Sequence, residues 1–247
     1  MIFPLRDSPR PSTRPVVLWL IVAANVAVFV WQLGLGASGQ LDAAIYALGF
    51  VPRRFFGWEQ MGGAALDAHR FIPLLTANFL HGGWLHIISN MWFLIVFGDN
   101  VEDRLGHLRF LVFYLLCGAC SMLVQGWVLP GSRVPAIGAS GAIAGVLGAY
   151  LVLYPGARVL TLVFFFFQVE FPAVVFLGVW FLSQLTNGAA SLSPAAGEAA
   201  GGVAWWAHVG GFVVGMGLCV LLKRHQRDAA PRLRRDWTTR PPRGLWT

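Results

Sequence analysis

Six apolar stretches divide the chain, and each is long enough to cross a hydrocarbon core. Polar segments rich in arginine, proline, glycine and serine separate them. A bilayer core about 30 Å thick needs roughly 17 to 25 mainly apolar residues in a helix. The predicted spans cover residues 16–35, 84–101, 110–129, 138–154, 171–187 and 202–222. This pattern predicts an all-α, polytopic membrane protein with six transmembrane helices.

The predicted spans organise the chain into one membrane domain with a short polar segment at each end. Residues 16–222 form the six-helix domain, and its one long loop is the outer loop at 36–83. Residues 1–15 form an N-terminal segment, and residues 223–247 form a basic tail. We interpret residues 159–171, which include four consecutive phenylalanines, as interfacial chain that leads into the fifth span.

Composition agrees with a membrane protein and excludes a soluble globule. Hydrophobic residues make up 57% of the chain and charged residues only 12%, about half the usual share of a soluble domain. The net charge of +7 could suggest nucleic acid. Eight of the eighteen basic residues, however, follow Leu222 directly after a predicted span. Such a cluster is typical of contact with anionic lipid, so we predict membrane lipids and no nucleic acid as partners.

The distribution of basic residues predicts the orientation in the membrane. With both termini in the cytoplasm, fourteen basic residues lie in inner segments and four in outer segments. The positive-inside rule and the even number of spans therefore favour cytoplasmic termini. Seventeen arginines against one lysine are typical of a GC-rich genome, and we expect the inner (plasma) membrane of a bacterium.

Polar side chains inside spans are costly, so they mark candidate functional sites. Four stand out: His86 and Asn90 in the second span, Ser140 in the fourth and His208 in the sixth. All three spans run from outside to inside, and each residue lies in the first two turns of its helix. At 1.5 Å per residue, all four lie within about 10 Å of the outer membrane face. This shared depth indicates one site.

Ser140 and His208 form a possible catalytic dyad. Ser140 begins the fourth span, where free backbone N–H groups and the positive end of the helix dipole favour a developing oxyanion. Its hydroxyl is a weak nucleophile without a base, which His208 could provide. Two simpler interpretations stay open: Ser140 as a small packing residue, and His208 as a hydrogen-bonding partner of a neighbouring helix.

Glycines at helix-contact spacing predict that the fourth and sixth spans pack closely. Gly141, Gly145 and Gly148 lie on the fourth span, and Gly211 and Gly215 lie on the sixth. Small residues let membrane helices approach each other closely. We expect this contact to bring His208 to Ser140.

His86 and Asn90 are four residues apart and therefore share one helix face. Neutral hydrogen-bond donors on one face suit an oxyanion hole. A metal site that includes His81 is the alternative, but no Asp or Glu lies in a predicted span near them. We therefore predict no metal and no cofactor, and a Ser–His dyad in place of a triad.

Four motifs follow one another in the order found in a known family. They are His81-Gly82-x-x-x-His86-x-x-x-Asn90, Gly98-x-x-x-Glu102-x-x-x-Gly106, Gly138-x-Ser140-Gly141 and Ala207-His208-x-x-Gly211-x-x-x-Gly215. In this combination the chain resembles the rhomboid intramembrane serine proteases over residues 81–215. The resemblance implies a six-helix bundle, a first loop half-embedded in the membrane, and a substrate gate near the fifth span and the loop after it.

The resemblance also implies a role for each site residue. Ser140 would be the nucleophile and His208 the general base and acid. His86, Asn90 and the backbone N–H of Ser140 would form the oxyanion hole. The expected activity is that of an endopeptidase that cuts transmembrane proteins in or near their membrane segments, so those proteins are the expected partners. The sequence makes no prediction of the oligomeric state.

Two positions differ from the family's pattern. His69 precedes Arg70 where the family has a Trp-Arg pair, and Ala144 replaces an aromatic that packs on the catalytic histidine in many members. The sequence therefore leaves open which side chain orients His208. Two other functions also stay open: an inactive member that binds membrane clients, and a small transporter. No inverted repeat is present to favour a transporter.

Overall fold

The computed structural model describes residues 2–65, 67–164, 166–193 and 203–222 of the protein. The predicted basic tail, residues 223–247, lies outside these residues. The helices found there are α1 (Val16–Ala37), α2 (Leu41–Leu48), α3 (Pro52–Phe56), α4 (Ala68–Thr76), α5 (Trp84–Leu105), α6 (His107–Val128), α7 (Ser140–Leu153), α8 (Ala173–Ser191) and α9 (Trp205–Leu222). The strands are β1 (Ile2–Asp7), β2 (Arg158–Val163) and β3 (Phe167–Pro172).

The prediction of a helical membrane bundle is confirmed, whereas the prediction that six helices cross the membrane stays a prediction. Helices α1 and α5 to α9 lie at the positions of the predicted spans. Among the described residues, α1, α6, α8 and α9 are each long and apolar enough to span a bilayer. The segment Ala68–Phe79, which includes α4, meets α5 at a bend of 82°, and the two together are long and apolar enough to be a fifth span. Helix α7 has only 14 residues, about 21 Å of helix.

Helix α7 lies at the centre of the bundle. Every residue from Gly141 to Tyr150 is buried, and the helix packs against α5, α6, α8 and α9. A helix that is apolar on all sides lies in a protein core or in the membrane, and α7 is covered by other helices of the bundle. Ser140 is the first residue of this buried helix, so its position is determined by four neighbouring helices.

The second motif joins α1 to α5. The Glu102 carboxylate is buried and accepts hydrogen bonds from the backbone N–H groups of Val17 and Leu18, at 2.9 and 2.7 Å. These groups in the first turn of α1 have no partner within their own helix. Gly98 lets α1 approach, because a Cβ atom there would lie 2.8 Å from Leu18 Cδ1. Glu102 therefore caps a helix that is distant in sequence.

The long outer loop is folded against the bundle. It contains α2, α3, α4 and a 3₁₀ turn at Ala77–Phe79. The Arg70 guanidinium donates to the carbonyl oxygen of Phe55 at 3.1 Å and stacks on the rings of Phe55 and Phe71. Gln32 of α1 exchanges two hydrogen bonds with the backbone of His81. Arg70 thus organises the loop although His69 precedes it in place of a tryptophan.

Residues 159–171, interpreted from the sequence as interfacial chain, have a regular structure that was not predicted. These residues form most of β2 and β3, which make a three-stranded antiparallel sheet with β1 in the order β1-β2-β3. The N-terminal segment contributes β1, which also had no predicted structure. Ile2 pairs with Val163, far away in sequence. Pairing over such a distance leaves no local signal in the hydrophobic pattern.

The sheet is attached to the inner half of the bundle through β1. Trp92 Nε1 donates to the carbonyl oxygen of Pro4 at 2.6 Å. The Asp7 carboxylate accepts from Tyr150 Oη at 2.6 Å and from Asn100 Nδ2 at 2.8 Å. Burial raises the pKa of Asp7 to about 7, although the hydrogen bond from Tyr150 opposes this shift.

Candidate active site

Ser140 and His208 lie within hydrogen-bonding distance. Ser140 Oγ and His208 Nε2 are 2.7 Å apart, although the two residues are 68 positions apart in sequence. Ser140 begins α7, and His208 lies in the first turn of α9. Both side chains are half-buried. A serine hydroxyl at this distance from a ring nitrogen has the geometry of a nucleophile and its base.

Close backbone contact between α7 and α9 brings the two residues together. A Cβ atom on Gly211 would overlap the carbonyl oxygen of Gly141, and one on Gly215 would overlap the backbone of Gly145. A Cβ atom on Gly148 would overlap the carbonyl oxygen of Phe212. Helix α6 also packs closely against α7, because a Cβ atom on Gly145 would lie 2.5 Å from Cys117 Sγ. Larger residues would therefore separate the helices that carry Ser140 and His208.

Two residues of α8 hold the imidazole of His208, and the sequence analysis missed both. His208 Nδ1 lies 2.8 Å from Oε1 of Gln184, whose side chain is only 5% exposed. The ring of Trp180 lies 6.0 Å from the imidazole and is tilted by 35°. Trp180 thus packs on His208 where Ala144 has no aromatic side chain. Gln184 is a polar residue inside the fifth predicted span, which was the available signal for it.

His86 and Asn90 converge in front of Gly138, two residues before Ser140. A Cβ atom on Gly138 would lie 2.7 Å from His86 Nε2 and 3.7 Å from Asn90 Nδ2. The N–H of Gly82 donates to His86 Nδ1 at 3.2 Å, so the ring proton of the neutral imidazole lies on Nε2. Asn90 Nδ2 is buried and has no hydrogen-bond partner in the described part of the chain. Two N–H donors therefore point at the turn that leads into Ser140.

Gly138 is required at this turn for two reasons. Its φ angle is +121°, a conformation that residues with a side chain rarely adopt. A side chain there would also fill the space in front of His86 and Asn90. Its N–H donates to the carbonyl oxygen of Ala77 at 2.8 Å, which ties the turn to the outer loop.

Known protein families match this arrangement over most of the chain. The model of the rhomboid domain matches residues 68–225, which include all of the residues described above for the candidate site. The chain belongs to the rhomboid family. The protein is therefore an integral, multi-pass membrane protein with a rhomboid domain.

Relatives of this rhomboid occur in plants. It is 25% identical over 227 residues to Rhomboid-like protein 11, chloroplastic, of Arabidopsis thaliana, covering 89% of this chain and 70% of the relative. It is 32% identical over 159 residues to RHOMBOID-like protein 6, mitochondrial, of the same plant, covering 54% of this chain and 50% of the relative. A third, Inactive RHOMBOID-like protein 8 from Arabidopsis thaliana, is 35% identical over 97 residues, 38% of this chain and 27% of the relative. The rhomboid chain thus spans about half of the second relative and a quarter of the third.

The histidines of the outer half do not form a metal site in the described part of this rhomboid. No three His, Cys, Asp or Glu residues lie close enough there to hold a metal ion. The rings of His81 and His86 are 5.1 Å apart, and the Nδ1 of His86 already accepts from Gly82. The carboxylates of α5 lie at its inner end, Glu102 being sixteen residues after His86.

A cavity of about 540 Å³ lies beside the outer ends of α6 and α9. It is lined by the loop before α7 and by Trp205 and Trp206, together with the polar groups of Gln125, Ser132 and Arg133. The ring of Trp205 lies 6.1 Å from the ring of His208. The ring of Trp205 therefore lies between this cavity and His208.

Proposed function

We propose that this rhomboid is an intramembrane serine endopeptidase with Ser140 as nucleophile and His208 as general base and acid. The observation that carries the proposal is the 2.7 Å distance between Ser140 Oγ and His208 Nε2. A side-chain hydroxyl and an imidazole at this distance, in the first turns of two adjacent helices, are the parts that acyl transfer requires.

The proposed reaction follows the chemistry of serine hydrolases. Ser140 Oγ attacks the peptide carbonyl carbon while His208 Nε2 takes the hydroxyl proton. The resulting oxyanion is stabilised by the backbone N–H of Ser140, Nε2–H of His86 and Nδ2–H of Asn90. His208 then protonates the leaving amine, and water hydrolyses the acyl-enzyme with His208 again as the base. Asn90 Nδ2 has no partner in the described residues, which supports its assignment as a donor to the substrate.

The proposed substrates are proteins anchored by a transmembrane helix. Exposed apolar side chains lie next to the candidate site, such as Leu85 and Trp84, one residue and two residues before His86. A soluble protein would have to leave water to reach Ser140, whereas a transmembrane substrate is already at this depth. Membrane lipids are therefore direct neighbours of enzyme and substrate.

We also propose that both termini lie in the cytoplasm, so that Ser140 faces the outer half of the bilayer. This follows from the fourteen inner and four outer basic residues. The plasma membrane of a bacterium stays our prediction, and the relatives named as chloroplastic and mitochondrial give it no support. A phosphatase or fluorescent-protein fusion after residue 247 tests the orientation, because the two reporters are active on opposite sides.

A rhomboid that binds membrane clients without cutting them is the second candidate. The observation in its favour is the similarity to a relative whose name describes it as inactive. The presence of both Ser140 and His208, in contact, favours the protease. No contact in the described residues favours a transporter. His208 is hydrogen-bonded to Ser140 and Gln184, and His86 accepts a hydrogen bond from Gly82.

Cleavage of a transmembrane reporter in proteoliposomes tests the proposal. We expect the purified protein to cut the reporter and Ser140→Ala and His208→Ala each to abolish cutting while both variants stay folded. A fluorophosphonate should label Ser140 in the native protein, and labelling should fall sharply in His208→Ala. EDTA should have no effect on the rate.

The matched control is Ser38→Ala, which removes an exposed hydroxyl at the end of α1 that bonds to the carbonyl oxygen of Leu35. It should retain fluorophosphonate labelling. Near-native cleavage by Ser140→Ala would refute the dyad. A folded native protein that binds the reporter without cutting it, and that resists the fluorophosphonate, would favour the binding function.

A further inference from the structure

Gln184 of α8 contacts the ring nitrogen of His208 that does not face Ser140. His208 Nε2 faces Ser140 Oγ at 2.7 Å, and His208 Nδ1 faces Gln184 Oε1 at 2.8 Å. Gln184 is 5% exposed. A third side chain in this position determines which ring nitrogen carries the proton.

The orientation of the Gln184 amide follows from its other contacts. Its Nε2 lies 3.0 Å from the carbonyl oxygen of Trp180 and 2.8 Å from Ser183 Oγ. A carbonyl oxygen only accepts, so the nitrogen of Gln184 must face Trp180. Ser183 Oγ itself donates to the same carbonyl at 2.6 Å, so it is free to accept from Gln184. The amide oxygen of Gln184 therefore faces His208.

This orientation determines the tautomer of His208. An amide oxygen only accepts, so Nδ1 of His208 must carry the proton that it donates to Gln184. In the neutral imidazole the proton is then absent from Nε2, whose lone pair faces the hydroxyl of Ser140. This is the tautomer that a general base for Ser140 requires. In the opposite tautomer Nε2–H would donate to Ser140 Oγ and could not take its proton, and the amide oxygen of Gln184 would be buried without a donor.

We propose that Gln184 is the positioning residue of a Ser140–His208–Gln184 arrangement and that it holds His208 in the tautomer that accepts the serine proton. The proposal rests on the proposed protease function. Gln184 touches neither the substrate nor the reacting atoms, and it acts through His208. A neutral amide stabilises the imidazolium less than a carboxylate does, but it aligns the ring in the same way.

Two substitutions of Gln184 separate positioning from packing. Gln184→Met keeps the volume and removes the acceptor, and we expect kcat to fall on the order of 100-fold with KM little changed. Gln184→Glu keeps an acceptor and should retain most of the activity. Its negative charge favours the protonated ring, so the acid limb of the pH profile of kcat/KM should move to higher pH. Asn187→Leu is the matched control, because it removes an exposed amide one turn away on the same helix.

A direct readout of the tautomer does not depend on proteolysis. With ¹⁵N-labelled histidine, the ring resonances of His208 are assigned by their loss in His208→Ala. We expect the protonated nitrogen to be Nδ1 in the native protein and the Nδ1–H signal to be lost or to exchange in Gln184→Met. Asn187→Leu should leave the spectrum and the rate unchanged.

Each outcome supports or overturns the proposal. If Gln184→Met folds and keeps the native kcat and tautomer, Gln184 has no positioning role. If Gln184→Met unfolds, Gln184→Glu decides: a folded variant without the Nδ1–H signal and with a low kcat overturns the proposal. If the native protein shows the Nδ1–H tautomer but cuts no reporter, the protease function fails while the positioning of His208 stands.

Discussion

Substitution of Gly211 by alanine adds one methyl group at the closest approach of α7 and α9. The new Cβ atom would overlap the carbonyl oxygen of Gly141 and lie 3.3 Å from the Cβ atom of Ala144. The obstacle is backbone, which cannot rotate away as the end of a side chain can. Gly141 follows Ser140 directly, and Gly211 lies three residues after His208. The substitution therefore acts at the part of the contact that holds the two proposed catalytic residues.

The magnitude follows from the size of the overlap. Non-bonded heavy atoms rest about 3.5 Å apart, so relief of this overlap requires the two backbones to separate by more than about 1 Å. Overpacking of this kind costs about 1–3 kcal/mol of stability. The bond between Ser140 and His208 would lengthen from 2.7 Å to well beyond hydrogen-bonding range. A misplacement of about 1 Å costs on the order of 100-fold in rate.

Gly217→Ala provides the matched control on the same helix. A Cβ atom on Gly217 has no neighbour within 4 Å, so the methyl group should be accommodated without movement. We expect Gly211→Ala to lower kcat about 100-fold and to lower the thermal midpoint in detergent, measured by tryptophan fluorescence. Gly217→Ala should match the native protein in both assays. Equal activity and stability of the two variants would refute the close packing of α7 and α9 and its role in aligning Ser140 with His208.

Three further predictions concern other contacts. Asn90→Ala should lower kcat by up to about 100-fold with little change in KM, and a raised KM at normal turnover would instead assign Asn90 to substrate binding. Asp7→Asn should flatten the pH dependence of stability. The pKa of Asp7 is raised from 3.8 to about 7 in the folded protein, so the unfolding free energy of the native protein falls as pH rises between these two values. At pH 8 the thermal midpoint of Asp7→Asn should exceed that of the native protein, and parallel pH curves would contradict the assignment. Glu102→Ala should lower the thermal midpoint, since the N–H groups of Val17 and Leu18 lose their acceptors, and an unchanged midpoint would show that the cap contributes nothing.

Several features of the fold and the site could be predicted from single stretches of sequence. The hydrophobic pattern located α1 and α5 to α9 within a few residues, because burial in lipid depends on the composition of each stretch alone. The positions of His86, Asn90, Ser140 and His208 in the first two turns of their helices were also predicted. The glycines of α7 and α9 predicted a close approach, since the absence of a side chain is visible in the sequence.

The sheet could not be predicted in this way. Residues 2–7 and 158–163 become strands only because each provides the hydrogen-bonding partner of the other. Their pairing depends on the bundle bringing the inner end of α7 next to α5, where Tyr150 and Asn100 bind Asp7. A backbone hydrogen bond between segments so distant in sequence has no signature in either segment.

The sequence by itself thus determined where helices α1 and α5 to α9 lie along the chain and which turns of them hold the polar side chains of the candidate site. Only the tertiary structure decided which helix faces meet, and therefore which side chains touch. The orientation of His208 shows the difference. Ala144 on α7 indicated that a partner was missing, but Trp180 and Gln184 on α8 provide it. Composition and helical rise are local properties of the chain, whereas contact between three helices depends on how the whole bundle packs.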